Sequence, residues 1–282
     1  MIVITGPTGQ LGTAFGRLLE GHEVRNITED ELDFRYLDEI PKALGAANPS
    51  LVINCAAYTA VDAAEENVDT ARLVNATAVG ALARACDDLG ARFVTFSTDY
   101  VFDGTKAGGY VESDQTNPQS VYGVTKLEGE QLALDSHPDA LVVRTSWLLS
   151  GTHPNFASTM VKLIRNGPVK VVDDQRGRPT LADDLARITL DAIDREASGL
   201  LHLANEGVTT WFGLARQIAS IAGLDPERVT PCTTDEFPRP APRPADSVLN
   251  SERVAGLGIE SMPPYGPGLE AAVLALMDSE WT

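Results

Sequence analysis

Three side chains in the first half of the chain have the types and spacing of a proton-transfer site. Tyr122 and Lys126 stand four residues apart, so on a helix they share one face and reach one pocket. A free tyrosine titrates near about 10, too high for a good proton relay at neutral pH. One positive charge at around 4 Å is worth on the order of 4 kcal/mol at an effective dielectric of about 20, before desolvation of the lysine offsets part of it. Lys126 is therefore expected to make the Tyr122 phenol more acidic. Tyr122 would then give a proton to a carbonyl oxygen as a hydride arrives, and the hydroxyl of Thr98, in Ser97-Thr98-Asp99-Tyr100, would bind the same oxygen. A Tyr-x-x-x-Lys pair alone is commonly surface decoration; joined to a cofactor turn and a Ser-Thr strand end it reads as a catalytic set.

The hydride source is suggested at the N-terminus. Ile2-Val3-Ile4 leads into Thr5-Gly6-Pro7-Thr8-Gly9-Gln10-Leu11-Gly12, a G-x-x-G-x-x-G turn entering a helix. Such a turn lets backbone N–H groups approach a pyrophosphate above a helix N-terminus, in a spacing variant of G-x-G-x-x-G. Gly6, Thr8, Gly9, Gln10, Leu11 and Gly12 are thus assigned to a dinucleotide. The acidic residue that would bind the ribose 2′-hydroxyl is not clean: Arg25 suits a 2′-phosphate, Glu29 to Glu31 repel one, and the choice between NADPH and NADH stays open. Asp33 and Phe34 either reach the adenine or form an exposed turn. Further on, Leu51-Val52-Ile53-Asn54-Cys55-Ala56-Ala57 ends in small residues, so a flat ring can approach at Ala56, Ala57 and Tyr58. Thr59 and Val61, in the loop that follows, are either site residues or ordinary helix-capping positions. Asp62 reads as an N-cap-like residue rather than a catalyst.

The elements that must position these groups alternate. Strands are expected at 2–5, 23–27, 51–55, 92–97 and 140–145, with helices over 10–19, 37–46, 69–89 and 121–134. The strands are continuous apolar runs, as in a parallel sheet covered on both faces. This is an α/β pattern of the Rossmann type, doubly wound, over residues 1–148. After Trp147 the rhythm loosens, with helices expected over 155–165, 182–195 and 212–222. Residues 149–282 are expected to form mainly a smaller lobe for the substrate, with about 174–197 packing back on the first part. Phe237-Pro238-Arg239-Pro240-Ala241-Pro242-Arg243-Pro244 is too proline-rich for a helix or central strand and should run extended.

Composition narrows the partners. The chain has 282 residues, with 22 basic and 40 acidic side chains for a net charge of −18, so nucleic acid and anionic membranes are not expected partners. Cys55, Cys86 and Cys232 form no C-x-x-C pair, and the four histidines are scattered, so neither a disulfide frame nor a metal site is indicated. No signal peptide or apolar span is read, and a cytoplasmic location is the default.

The chain resembles the extended short-chain dehydrogenase/reductases, and among them the reductases of dTDP-linked 4-keto-6-deoxysugars. The likeness rests on Thr5-Gly6-x-x-Gly9-Gln10-Leu11-Gly12, Asn54-x-Ala56-Ala57-Tyr58-Thr59-Ala60-Val61-Asp62, Ser97-Thr98-Asp99-Tyr100-Val101-Phe102-Asp103-Gly104 and Val121-Tyr122-Gly123-x-Thr125-Lys126-x-x-Gly129-Glu130. It continues through Arg144-Thr145-Ser146-Trp147, Asn155-Phe156, Asp174-Gln175-x-Gly177-x-Pro179-Thr180 and Pro240-Ala241-Pro242-Arg243-Pro244. These segments run in order along nearly the whole chain. The resemblance implies NAD(P)H-dependent reduction of the C4 ketone of dTDP-4-dehydro-L-rhamnose, with Thr98, Tyr122 and Lys126 as the catalytic triad. It implies contacts of the dTDP-sugar with Thr59, Val61, Thr98, Tyr100, Trp147, Asn155, Phe156 and Arg178. Trp147 also suits a sugar ring by its flat apolar face, or else closes the core beyond a strand. Arg243 can pair with the diphosphate, or the strap around it is a plain surface connector. Some relatives dimerise through a structural Mg2+ that does not map onto this C-terminus, so a monomer or a homodimer is expected. Rivals of the same fold are a nucleotide-sugar dehydratase, disfavoured because Tyr100 stands where a glutamate is needed, and an epimerase. A regulatory, non-catalytic subunit of methionine adenosyltransferase is a third.

Overall fold

Strands form where β-branched and aliphatic residues run together, and helices where apolar residues recur on one face. In the computed structural model, which describes residues 1–279, the first half contains β1 (Ile2–Thr5), α1 (Gln10–Leu18), β2 (Val24–Ile27), α2 (Ile40–Ala47), β3 (Leu51–Asn54), α3 (Val61–Ala64), α4 (Val68–Arg72), α5 (Ala78–Leu89), β4 (Arg92–Thr98), α6 (Val121–Ser136) and β5 (Leu141–Thr145). Two expected helices are interrupted. The segment expected as one helix over 37–46 opens with a 3-10 turn, Leu37–Glu39, before α2. The expected helix 69–89 is α4, a π turn at Leu73–Thr77, and α5. The widened turn accommodates Asn75, whose buried amide bonds the backbone of Tyr58 in both directions and Thr125 Oγ1, a tertiary requirement that periodicity does not reveal.

The second half contains β6 (Leu148–Leu149), α7 (Phe156–Asn166), β7 (Val169–Val172), β8 (Arg176–Gly177), β9 (Thr180–Leu181), α8 (Ala182–Asp194), β10 (Gly199–His202), β11 (Thr209–Thr210), α9 (Trp211–Ile221), β12 (Val229–Cys232) and α10 (Tyr265–Met277). Neither β10 nor α10 is among the elements expected from the sequence, and the expected C-terminal lobe extends into residues 280–282, which lie outside the described residues.

The main sheet has six strands in the order β10-β5-β4-β3-β1-β2, all parallel. Alternate strand residues face opposite layers. Ile4, Ile53 and Val94 pack beneath α1 and α8, while Val3, Val52 and Phe93 pack with α2 and α5 on the other face. A separate core gathers Leu149, Val171 and apolar residues of α7, α9 and α10. The chain leaves β1 for β2 on one side and for β3 on the other, and this reversal opens a crevice at the carboxyl ends of β1 and β3. No helix among the described residues is long and apolar enough to cross a membrane.

Candidate active site

The crevice is built by glycine. At Gly6 the chain turns with φ +65°, and a Cβ there would lie 2.6 Å from the Ala56 nitrogen; a Cβ on Gly12 would lie 2.3 Å from the Gly6 oxygen. Only hydrogen atoms at both positions let the β1 turn sit against the end of β3 and the start of α1. The first turn of α1 has no side-chain cap and no acidic residue, which leaves its N–H groups available to an anion. A cleft of about 680 Å³ results, lined by Gly6, Thr8 and Gly9, by Ala56, Ala57 and Tyr58, and at its far end by Asp33, Phe34 and Arg35. This shape and donor set fit a dinucleotide.

Three cofactor expectations need amendment. Leu11 is 7% exposed and packs into the core under the sheet, so its side chain does not face the cleft. Gln10 points to the second lobe: its Oε1 accepts from Ser150 Oγ at 2.9 Å and from Asn155 Nδ2 at 3.2 Å. The basic residue lining the far end is Arg35 and not Arg25; its backbone N–H and Nε donate to Asp33 Oδ1 at 2.8 and 3.0 Å.

Two strands away, β4 ends at Thr98, in register with Thr145 of β5. Ser120 caps α6 by accepting from the Gly123 N–H at 3.2 Å, which sets Tyr122 in the first helical turn and Lys126 in the second. Tyr122 shares a side-chain hydrogen bond with Thr98, and Tyr100 meets its ring edge-on at 5.5 Å. Lys126 is 5% exposed and its Nζ donates to the Phe96 carbonyl at 2.6 Å. Thr98 Oγ1 donates to Asp99 Oδ1 at 3.0 Å and accepts from the Tyr100 N–H. Thr98 and Tyr122 thus meet at the end of β4, with Lys126 buried one helical turn from Tyr122.

Their electrostatics differ from the expectation. Burial raises Tyr122 to about 12, with the Thr98 hydrogen bond opposing and the charge of Asp99 reinforcing the rise. The ammonium that was expected to acidify the phenol is turned to a strand carbonyl instead. Burial lowers Lys126 to about 8, and the charge of Glu130 pulls it back. Burial likewise lifts Asp99 to about 6.

On the substrate side, Trp147 leaves β5 with φ +48°, an uncommon value for a bulky residue, and stacks on Trp211 at 3.7 Å with 10° between the planes. Phe156 leans on Trp211 at 4.5 Å. Arg178 donates from Nη2 to Asn250 at 2.7 Å, while its buried Nε has no partner. Asn155 is the N-cap of α7 and its amide also reaches Gln10, Ser150 and His153, so it joins the lobe to α1 rather than facing the cleft freely. Thr59 is exposed and Val61 half-buried at the start of α3. Asp62 does not cap α3: it lies in the first turn, and its carboxylate accepts from Arg243 Nη1 at 2.6 Å. An arginine from the distant strap offers that carboxylate a stronger partner than backbone N–H groups do.

The profile of the family described as RmlD substrate binding domain matches residues 1–277 of this chain. The chain belongs to that family. A dTDP-4-dehydrorhamnose reductase of Mycolicibacterium smegmatis is 42% identical over 98% of this chain and 86% of that protein. The crystal structure of a dTDP-4-dehydrorhamnose reductase from Clostridium acetobutylicum superposes with a TM-score of 0.93 at 40% identity, covering 98% of this chain and 99% of that one. The enzyme of the same name from Bacillus anthracis, solved in complex with NADP, gives 0.92 at 34% identity, over 97% of this chain and 98% of its own.

In this RmlD family member several groups at the cleft and beside Trp147 are not foreseeable from the sequence. Trp211 and Arg35 are single residues in unremarkable contexts, and nothing in spacing ties the first to Trp147, 64 positions earlier. Leu73 and Val74 line the cleft because the π turn carries them there. Among the described residues no three His, Cys, Asp or Glu side chains gather to hold a metal ion.

Proposed function

We propose that this RmlD family chain reduces the C4 ketone of dTDP-4-dehydro-L-rhamnose to dTDP-L-rhamnose, using NADPH or NADH. The observation that carries the reading is the meeting of Thr98 and Tyr122, with buried Lys126 one helical turn on, at the carboxyl end of the sheet that also bears the glycine cleft, in a chain 42% identical to a reductase of that name.

The cleft residues supply the rest. Gly6, Gly9 and the first turn of α1 would hold the pyrophosphate, and Ala56 and Ala57 leave room for a flat ring. Asp33 would offer acceptors to ribose hydroxyls, and Arg35, paired with it at the same end of the cleft, would be the cation for a 2′-phosphate. When bound, the reduced nicotinamide supplies the hydride. Tyr122 then delivers its proton to the ketone oxygen; with a pKa near 12 the phenol keeps that proton at neutral pH until the oxygen becomes basic. The Thr98 hydroxyl, which here gives its proton to Asp99 Oδ1, lies beside Tyr122 and can turn that proton to the same oxygen, while Lys126 keeps its positive charge one helical turn on, against the Phe96 carbonyl. Trp147, backed by Trp211, offers the sugar a flat wall. Free cysteines kept apart suit the cytoplasm.

The test mixes purified protein with dTDP-glucose, a 4,6-dehydratase, a 3,5-epimerase and either NADPH or NADH. Loss of absorbance from the reduced cofactor and formation of dTDP-L-rhamnose are expected. No consumption of either cofactor overturns the reading, and consumption before the epimerase is added moves the substrate to the unepimerised keto-sugar.

A further inference from the structure

Behind Lys126 lies a line of buried charge that the reaction above does not use. Glu130 is one helical turn further along α6, on the same face, and is 3% exposed. Arg144 of β5, 2% exposed, grips it with two bonds, Nε to Oε1 at 2.8 Å and Nη2 to Oε2 at 2.6 Å. Arg144 in turn lies over the Phe102 ring at 5.1 Å and places Nη1 3.3 Å from His202 Nε2. A fully buried ion pair costs desolvation on both sides and is weak evidence for stability by itself, so its position calls for another reason.

We propose that Glu130 is a positioning residue for Lys126: clamped by Arg144, it fixes one negative charge behind the buried ammonium and keeps Lys126 protonated one helical turn from Tyr122. The proposal rests on the reductase reading only in making that proton matter. The other groups around α6 do not supply this charge. Asp99, next to Thr98 at the end of β4, bears on Tyr122. From β4 the ammonium receives only the Phe96 carbonyl. His202 of β10 is pushed down to about 4, chiefly by burial and then by Arg144, so it is neutral at neutral pH. From α3, Glu65 accepts the Val121 N–H at the start of α6; from α4, Arg72 pairs with Glu128 on the exposed face; α5 meets α6 through Gly80 and Leu132. Glu130, buried one turn from Lys126 on the same face, is held by Arg144, the strand neighbour of Val143, which is in register with the Phe96 that takes the ammonium; it is thus the group whose charge bears on Lys126.

The two partners have opposite effects, which separates this role from simple packing. Glu130→Gln leaves Lys126 and Arg144 as two buried cations with no anion between them, so Lys126 should lose its proton about one pH unit or more below the wild type. Arg144→Met leaves Glu130 to Lys126 alone and should move the titration upward. The double variant, Glu130→Gln with Arg144→Met, should fall between the two single variants. The basic limb of the kcat profile reads these shifts in turnover. Titration of lysine 13Cε shifts reads them without turnover, since Lys126 is the one buried lysine of five and is assigned by its absence in Lys126→Arg. Opposite displacements in the two single variants support the proposal. If Glu130→Gln fails to fold, an upward move in Arg144→Met and a return in the double variant support it as well. An unmoved Lys126 titration in every folded variant overturns it, while a shifted titration in a chain that never consumes cofactor overturns the reductase reading alone.

Discussion

Arg243 and Asp62, 181 residues apart, meet with Nη1 2.6 Å from Oδ1, and the same guanidinium nitrogen donates to the Ala241 carbonyl at 2.7 Å. Arg239 stands 3.7 Å from the other carboxylate oxygen, so one acidic side chain of α3 holds both arginines of the proline-rich strap. The strap flanks a small cavity of about 190 Å³ with Tyr100 and Ser120, close to the proton-transfer corner.

If Arg243 takes the nucleotide diphosphate, Asp62 competes with it. Arg243→Ala should then weaken dTDP binding on the order of tenfold or more, the worth of a charge-assisted hydrogen bond. Asp62→Asn should tighten it by removing the competitor. Calorimetric titration with dTDP distinguishes the two, and equal affinities in all three proteins would place the diphosphate elsewhere.

Tyr122→Phe removes the proton donor and leaves the ring against Tyr100. The expected loss in kcat is on the order of 10²- to 10⁴-fold, with cofactor affinity within about twofold of wild type. Steady-state kinetics with cofactor titration by fluorescence checks both. Unchanged turnover would mean that another group gives the proton.

Asp99 holds its proton in the folded chain up to about pH 6, against 3.8 for the ordinary side chain. Between those values the folded state binds more protons than the unfolded one, so stability falls as pH rises through the window, and the loss is complete above it. Asp99→Asn keeps an oxygen to accept from Thr98 and carries no charge. It should be more stable than wild type by on the order of 2 kcal/mol at pH 7.5 and nearly equal to it below pH 4. Thermal melts at the two pH values measure this; the same difference at both would show that ionisation of Asp99 is not the cause.

Gly177 touches the Trp147 indole, where a Cβ would lie 2.5 Å from Cε2. With Trp211 stacked on that indole, the ring has no easy retreat. Gly177→Ala should cost about 1–3 kcal/mol and raise the sugar-nucleotide KM with little change in the cofactor KM. Chemical denaturation followed by tryptophan emission, together with the two KM values, reports the outcome; a rise in both KM values would point to a wider disturbance.

The sequence by itself determined the elements that repeat locally: the five strand segments of the first half, the glycine turn before α1, and the helix that carries Tyr122 and Lys126. These follow from side-chain period and backbone sterics, which act over a few residues. Tertiary structure decided what depends on distant partners. The π turn exists to seat Asn75 between Tyr58 and Thr125, β10 becomes a strand because β5 offers it an edge, and Asp62 leaves the helix cap for Arg243. It also reversed the expected acidity of Tyr122. Spacing places a lysine beside a phenol, but burial and the competing Phe96 carbonyl determine where its charge is directed.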